Sequence, residues 1–424
     1  MDVPGHRNPA LPLTRKIVLA LLAGLLALSA TCYVGRHRRR HVVPTPGMDA
    51  EPRFWVRVLL FDDISEFTLS AENGFTVADV KTGAFGRFGK NTQAVLAAPM
   101  NGGILIGEHV FGPEIEIRPA EPFVFGLDNS AWRGNLRLTL NADARSMQAV
   151  NDVPLESYLA GVIGEEMPSY WEAEALKAQT VAARTYCLFI KYRFGPGRSW
   201  DLRRTQANQV YGGLNAESPM VWDAIRATEG LVLVCDQPDG PKIFPAYYSS
   251  TCGGHTENSA NVFGDSYVSL VGVPCPHCRD ITRPTFFTWS SPAFDAEQAS
   301  RAITTRYDHL RILDRIVAIE PGEVTPYEDF VRLASLRLTG SNGRTRNLRA
   351  EDFRLTVDPT GTRIRSNSYR IERRKNAWAF VDGRGFGHAV GLCQYGAEGM
   401  ARKGADFRTI LKFYFPNSEL RSIH

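Results

Sequence analysis

The feature that most constrains this chain is a change of period near residue 154. From Phe54 to about residue 153 the sequence is a succession of short β-branched runs, among them WVRVLLF, GFTVADV, GGILIG, IEIRP and NLRLTLNA, broken by Gly, Asn and Pro. Runs of this kind, bounded by turn residues, read as strands. The stretch PSYWEAEALKAQTVAARTYCLFIKYRFG then switches to helical spacing, with Ala175, Gln179, Ala182, Tyr186 and Ile190 near one stripe. Ser169 and Glu172 stand at capping-box spacing, which predicts an N-cap at Ser169 and a helix over residues 170–193, ended by FGPG. A second helix is expected at 219–228, leading into the strand GLVLVC. Further strand signals are KIFPAYYSS, FFTWS, RIVAIEP, FVRLASLRLTG and WAFVDG, and the last helix is expected at 394–403, followed by a turn at 407–414. Strands and helices come in blocks rather than in alternation, so the class is α+β, mixed strands with a long central helix.

The N-terminus has a different character. After Arg15 and Lys16 comes an uncharged run of about 18 residues, 17–34, which as a helix spans about 27 Å, enough to cross a bilayer. A secretory signal has the same charged start and apolar middle. Either reading predicts export, with the rest of the chain in the cell envelope outside the cytoplasmic membrane. Residues 1–35 are therefore read as tail and membrane anchor or signal segment, and 36–52 as a basic and Pro-rich linker. Residues 53–424 form the folded region, in three parts: a β-rich one (53–153), one with the long helix and the cysteine cluster (154–290), and a C-terminal one (291–424). The net charge of +4 on 424 residues gives no basic footprint for a nucleic-acid partner.

Seven cysteines in an exported chain require an account. Cys187, Cys235 and Cys393 sit alone and read as buried small hydrophobes. Cys252 and His255 form a C-x2-H pair, and Cys275 and Cys278 form a C-x2-C pair about twenty residues on. Two such pairs match a structural tetrahedral Zn2+ site of three thiolates and one imidazole, with His255 preferred to His277 as the fourth ligand. A disulfide, free thiols and a redox-active Cys-Pro-His-Cys are the alternatives. The last needs its first cysteine at a helix N-terminus, and RDITRPTFF after Cys278 opposes one.

Two segments carry candidate chemistry. Glu165-Glu166-Met167-Pro168 precedes the expected long helix, where the macrodipole would lower a carboxyl pKa, the wrong direction for a general acid. An apolar wall from Met167, Tyr170 and Trp171 would be needed to raise it. The block GRGFGHAVGLCQYGAEGMARKG has dense glycine, which lets backbone crowd a surface and leaves His388 and Gln394 prominent. It lacks the strand, turn and helix spacing of a nucleotide loop.

Together these stretches resemble the SpoIID/LytB-type domain of bacterial cell-wall proteins. The matching blocks are VPLESYLAGVIGEEMPSYWEAEALKAQTVAARTY, QVYGG, AYYSSTCGGHTENSANVFG and GRGFGHAVGLCQYGAEGMARKGADFRTILKFYFP, in order over roughly residues 54–420. The resemblance implies a lytic transglycosylase that cuts the MurNAc-β-1,4-GlcNAc bond of peptidoglycan glycan strands and leaves a 1,6-anhydro end. The family's essential glutamate, in a Glu-Met-Pro motif, falls on Glu166, whereas Glu165 is given no role. Tyr211, Ser250, Glu257, His388 and Gln394 match recurrent family positions and are expected to line the glycan groove. The alternative it implies is a non-catalytic peptidoglycan-binding activator of a cell-wall amidase. A zinc-bound relative takes ligands just before its Gln-Val-Tyr, but DLRRTQANQVY has neither His nor Cys, so zinc here rests on this chain's own residues.

Overall fold

The computed structural model describes residues 51–90 and 94–423. The expected anchor or signal segment and nearly all of the linker lie outside the described residues. Among those described, no helix is long and apolar enough to cross a membrane.

The strand-like runs form two sheets. In the first, strand Trp55–Ile64 is antiparallel to Met147–Pro154, followed outward by Asn135–Leu140, Glu114–Pro119, Phe75–Asp79 and Phe85–Phe88. Strand Leu202–Arg203 adds in parallel on the other side of Trp55–Ile64. The second sheet has six strands, from Ser130–Arg133 at one edge to His109–Phe111 at the other. Alternate residues of both sheets, such as Val56, Val58, Val77, Leu69, Ile104 and Phe125, enter one core. Each such side chain contributes about 1.5–3 kcal/mol on burial.

Three helices in succession pack onto this core. The first, α1 (Leu155–Glu166), was not legible as a helix: it starts after Pro154 without a side-chain cap and is buried at Leu155 and from Ser157 to Ile163. A helix buried almost all round has no amphipathic stripe, and its glycines lower its propensity. The long helix α2 (Ala173–Phe194) starts later than the capping-box spacing predicts. Ser169 caps nothing, because residues 168–171 form a turn that buries Trp171. The start of α2 is met instead by Glu398, which accepts from the Glu172 N–H at 2.9 Å. Arg184, fully buried on α2, donates to Glu156 of α1 at 2.8 and 2.6 Å and to the Leu231 carbonyl, tying three elements together. Helix α3 (Pro219–Ala227) is capped by Ser218 and leads into strand Leu231–Gln237.

Residues 289–380 build a second core around Leu310, Leu336, Phe353 and Phe380. It contains two three-stranded sheets and helices α4 (Ala296–Arg306) and α5 (Ala350–Val357), neither foreseen in the sequence. The chain then returns to the first core through α6 (Gln394–Arg402), α7 (Phe407–Tyr414) and strand Ser418–Ser422, which pairs with Leu231–Gln237. The stretch 291–424, read above as one part, therefore divides between the two cores.

Candidate active site

Glu166 is the last residue of α1, not a residue at the start of the long helix. This reverses the electrostatic expectation. The C-terminal end of a helix carries partial negative charge and disfavours a carboxylate, so the local dipole now acts in the direction a general acid needs. The larger cause is burial, which pushes the Glu166 carboxyl up to about 7. The Val210 N–H, the Gln394 amide and the Tyr248 hydroxyl pull it partly back, and the charge of Glu165 adds to the rise. The expected apolar wall is made of other residues. Tyr170 is exposed and Met167 and Trp171 point into the core, whereas Tyr186, Tyr247, Tyr248 and Phe263 surround the carboxyl side of the cleft.

Close packing on α1 explains how the backbone reaches Glu166. A Cβ at Gly161 would lie 2.5 Å from the Tyr211 ring, and one at Gly164 would lie 1.8 Å from the Ala216 carbonyl oxygen. With glycine at both positions the QVYGG segment lies against the helix, and Val210 N–H donates to Glu166 Oε1 at 3.3 Å. Gln209 of the same segment orders a chain of side chains. Tyr158 donates to Gln209 Oε1 at 3.1 Å, and Gln209 Nε2 donates to the Tyr248 oxygen at 3.0 Å. The Tyr248 oxygen is thus an acceptor from Gln209, which turns its own proton toward Glu166 Oε1, 3.5 Å away.

The opposite rim comes from the Gly-rich block, which pairs with the segment after Tyr248. Tyr248 and Leu392 are parallel partners, and Thr251 bridges Phe386. Gly387 has φ +102°, and a Cβ there would stand 2.7 Å from the Ser249 Cβ. The resulting cleft, about 510 Å³, has Glu166, Ser250, His388 and Gln394 among its lining residues. The buried Gln394 amide nitrogen faces the Glu166 carboxyl's cleft and completes no hydrogen bond among the described residues. His388 accepts from Val390 N–H at Nδ1, and burial lowers its pKa to about 4.

Two expected groove residues lie elsewhere. Tyr211 is buried and donates to Asn151 Oδ1 at 2.9 Å, joining the QVYGG segment to the first sheet. Glu257 is buried with Arg332 at 3.6 Å and accepts from Tyr327, Asn258 and Asn261. Both are held by internal hydrogen bonds and serve the scaffold. A wall the sequence did not announce comes from the second core: Glu351, Arg354 and Leu355 of α5 and residues 360–362. Its residues are some 200 positions from Glu166, with no local pattern to join them.

The profile of the SpoIID family, described as Stage II sporulation protein, matches residues 143–235, which hold α1, Glu166 and the QVYGG segment. An uncharacterised protein of Brachyspira hyodysenteriae is 30% identical over 292 residues, 69% of this chain and 72% of that protein. The chain belongs to the SpoIID family. Stage II sporulation protein D of Bacillus subtilis is 28% identical over 64% of the chain and 76% of its own length. The Amidase enhancer of Bacillus subtilis is 30% identical over 62% of the chain, a match that spans 40% of the enhancer.

This SpoIID-family chain also carries a cluster of thiols behind the cleft. Cys252, Cys275, Cys278 and Cys393 place their sulfur atoms within 4.8 Å of one another, all fully buried. His255, expected as the fourth member, is not among them: its Nδ1 lies 2.6 Å from the Thr256 carbonyl and its ring stacks on Tyr327. His277 points to Phe413 instead. Cys393, read in the sequence as an isolated hydrophobe, takes the place because the Gly-rich block folds back over the Cys252 loop. Cys187 and Cys235 are buried singly. The first helical turn after Cys278 begins at Pro284, so neither cysteine of the Cys-Pro-His-Cys stretch heads a helix.

Proposed function

We propose that the chain is a lytic transglycosylase of peptidoglycan, cleaving the MurNAc-β-1,4-GlcNAc bond with Glu166 as acid and then base. The observation that carries the reading is one carboxyl, raised to about 7, in a cleft of about 510 Å³. Three carboxyl groups line that cleft: Glu165, Glu166 and Glu351. Glu351 is tied to Arg354 at 2.5 Å and Glu165 is exposed, so neither is placed as a second catalytic carboxyl. Hydrolysis through two carboxyl groups needs a partner for water or for a covalent intermediate.

A single acid suffices when the substrate supplies its own nucleophile. Protonated Glu166 donates to the glycosidic oxygen as the bond from the muramic acid C1 breaks, and the GlcNAc 4-hydroxyl leaves. The Glu166 carboxylate then takes the C6 hydroxyl proton as O6 bonds to C1, closing the 1,6-anhydro ring and restoring the acid. No water is consumed. Gln394 and Ser250, which line the same rim, would hold the sugar. The N-terminal apolar run supports a site of action in the cell envelope.

The second reading, a peptidoglycan-binding activator of a cell-wall amidase, is favoured by the relative named Amidase enhancer. Digestion of purified glycan strands, with and without stem peptides, by the full chain and by Glu166→Gln separates the two. Anhydro-muropeptides from the wild type and not from the variant are expected. Binding by both with no product from either would establish the activator reading instead.

A further inference from the structure

The four clustered thiols come from three separate stretches of chain. Cys252 follows strand Tyr248–Ser249, Cys275 and Cys278 lie in one loop, and Cys393 immediately precedes α6. We propose that they hold one structural zinc ion in a closed tetrathiolate site, and that this ion fixes the rim of the cleft that carries Ser250 and Gln394. The proposal goes beyond the transglycosylase reading and does not depend on it.

The spacing fits the ion. Zinc–sulfur bonds of about 2.3 Å in a tetrahedron set sulfur atoms about 3.8 Å apart. The Cys252 and Cys278 sulfurs are 3.8 Å apart, and all four lie within 4.8 Å of one another. A disulfide holds its sulfurs at about 2.05 Å and joins them in pairs, whereas these four converge on one point. Four ligands leave no open position, which is the arrangement of a structural site. With no exposure at any of the four, a dithiol substrate has no route to them.

The surroundings suit bound thiolates. Cys252 N–H donates to the Cys393 sulfur at 3.3 Å, and the Tyr414 hydroxyl stands 3.1 Å from the Cys275 sulfur. Arg332, itself buried and paired with Glu257, donates to the Cys252 and His255 carbonyls at 2.7 and 3.0 Å and holds the loop in place. Such outer hydrogen bonds orient ligands and offset the negative charge of a tetrathiolate. The Cys275–Cys278 loop is also fitted to α6. A Cβ at Gly396 would meet the Cys275 sulfur at 2.7 Å, and one at Gly399 would meet the His277 carbonyl oxygen at 2.2 Å.

The position gives the ion its consequence. Gln394 directly follows Cys393, and Ser250 lies two residues before Cys252. The Ser250 carbonyl also accepts from Tyr395 N–H at 3.0 Å, so the two rim segments are joined beside the cluster. One ion thus ties the head of α6 to the loop after Tyr248, next to the Glu166 carboxyl.

The test uses the full chain produced with zinc. About one zinc per chain is expected in the wild type and in His255→Ala, with loss of most of it in Cys393→Ser. Cobalt exchange should give the visible spectrum of tetrahedral thiolate cobalt. Cadmium-113 resonance of the exchanged wild type should report four sulfur ligands, which decides the ligand set even where Cys393→Ser does not fold. Stripping the zinc with a chelator should increase amide exchange over residues 386–396 and leave the Trp55–Ile64 sheet unchanged. Two disulfides by mass under non-reducing conditions, a three-sulfur cadmium shift, or zinc lost from His255→Ala and kept by Cys393→Ser would overturn the proposal. These readouts concern metal and exchange, so their failure leaves the cleavage assay untouched.

Discussion

Two glutamates with desolvated carboxyls face the same cleft from opposite cores, and their surroundings shift them in opposite directions. Glu351, on α5 of the second core, is desolvated as Glu166 is, but the Arg354 guanidinium beside it more than offsets burial and holds its carboxyl below the ordinary value. It accepts from Arg354 at 3.0 and 2.5 Å and from Asn367 at 2.7 Å, so its lone pairs are occupied. Glu166 ends α1 with tyrosines around it and no cation in contact among its hydrogen-bond partners. The difference teaches that burial alone does not make an acid; burial without a paired charge does.

The largest expected effect comes from removing the unpaired member. Glu166→Gln should lower glycan cleavage by about 10²–10⁴-fold, measured by release of anhydro-muropeptides. The same change should stabilise the protein at alkaline pH. The carboxyl titrates near 4.5 unfolded and about 7 folded, so its favourable contribution is complete below 4.5 and lost as pH rises through 7. Glutamine resembles the protonated form, so a gain of about 3 kcal/mol is expected at pH 8 and none at pH 4, read by denaturant unfolding. The wild-type kcat/KM should fall along one limb above about pH 7. His388, with its pKa lowered to about 4, is neutral through that range and adds no limb there.

Breaking the other pair should affect stability rather than chemistry. Arg354→Met leaves Glu351 buried without its cation and should cost about 3–5 kcal/mol in urea unfolding. Adding Glu351→Leu should recover much of that loss. If Arg354→Met costs nothing, the contrast between the two walls is not one of charge pairing.

How far the sequence announced these walls depends on whether a residue's environment is local. The strand runs of 55–154, α2, α3 and α6 were legible because period and turn residues are short-range signals. Helix α1 was not, since a helix buried nearly all round shows no stripe, and that omission reversed the sign of the dipole at Glu166. Glu166 was singled out by its Glu-Met-Pro context and the family blocks, and its carboxyl lines the cleft. Tyr211 matched the same blocks, yet a motif match does not tell a groove residue from one that ties the groove's support to a sheet. Cys393 was missed because its partners lie more than a hundred residues upstream, and His255 was chosen because it was near in sequence. Tyr248 was also passed over: its role arises from Gln209 fixing the direction of its proton.

That role predicts a smaller, directional effect. The Tyr248 hydroxyl supports the ionised form of Glu166, so Tyr248→Phe should raise the carboxyl pKa further and move the alkaline limb to higher pH. It also removes one of the two acceptors of the Gln209 amide, leaving the Ala183 carbonyl, and kcat should fall roughly fivefold, as for a lost hydrogen bond of about 1 kcal/mol. An unshifted limb with the same fall in kcat would assign Tyr248 to the substrate rather than to Glu166.

The smallest effect tests the neighbour. Glu165 is exposed, and its charge contributes to the raised pKa of Glu166. Its side chain lies over Gly212, where a Cβ would stand 2.4 Å from Glu165 Oε1. Glutamine keeps that packing and removes the charge. Glu165→Gln should therefore move the alkaline limb slightly toward acid, opposite to Tyr248→Phe, with kcat on the plateau unchanged. Because the charge is exposed, the shift should vanish at about 1 M salt, where the screening length is about 3 Å, whereas the limb set by burial stays. A large loss of plateau activity in Glu165→Gln would mean that the exposed carboxylate takes part in the reaction, and the single-acid reading of the cleft would have to be given up.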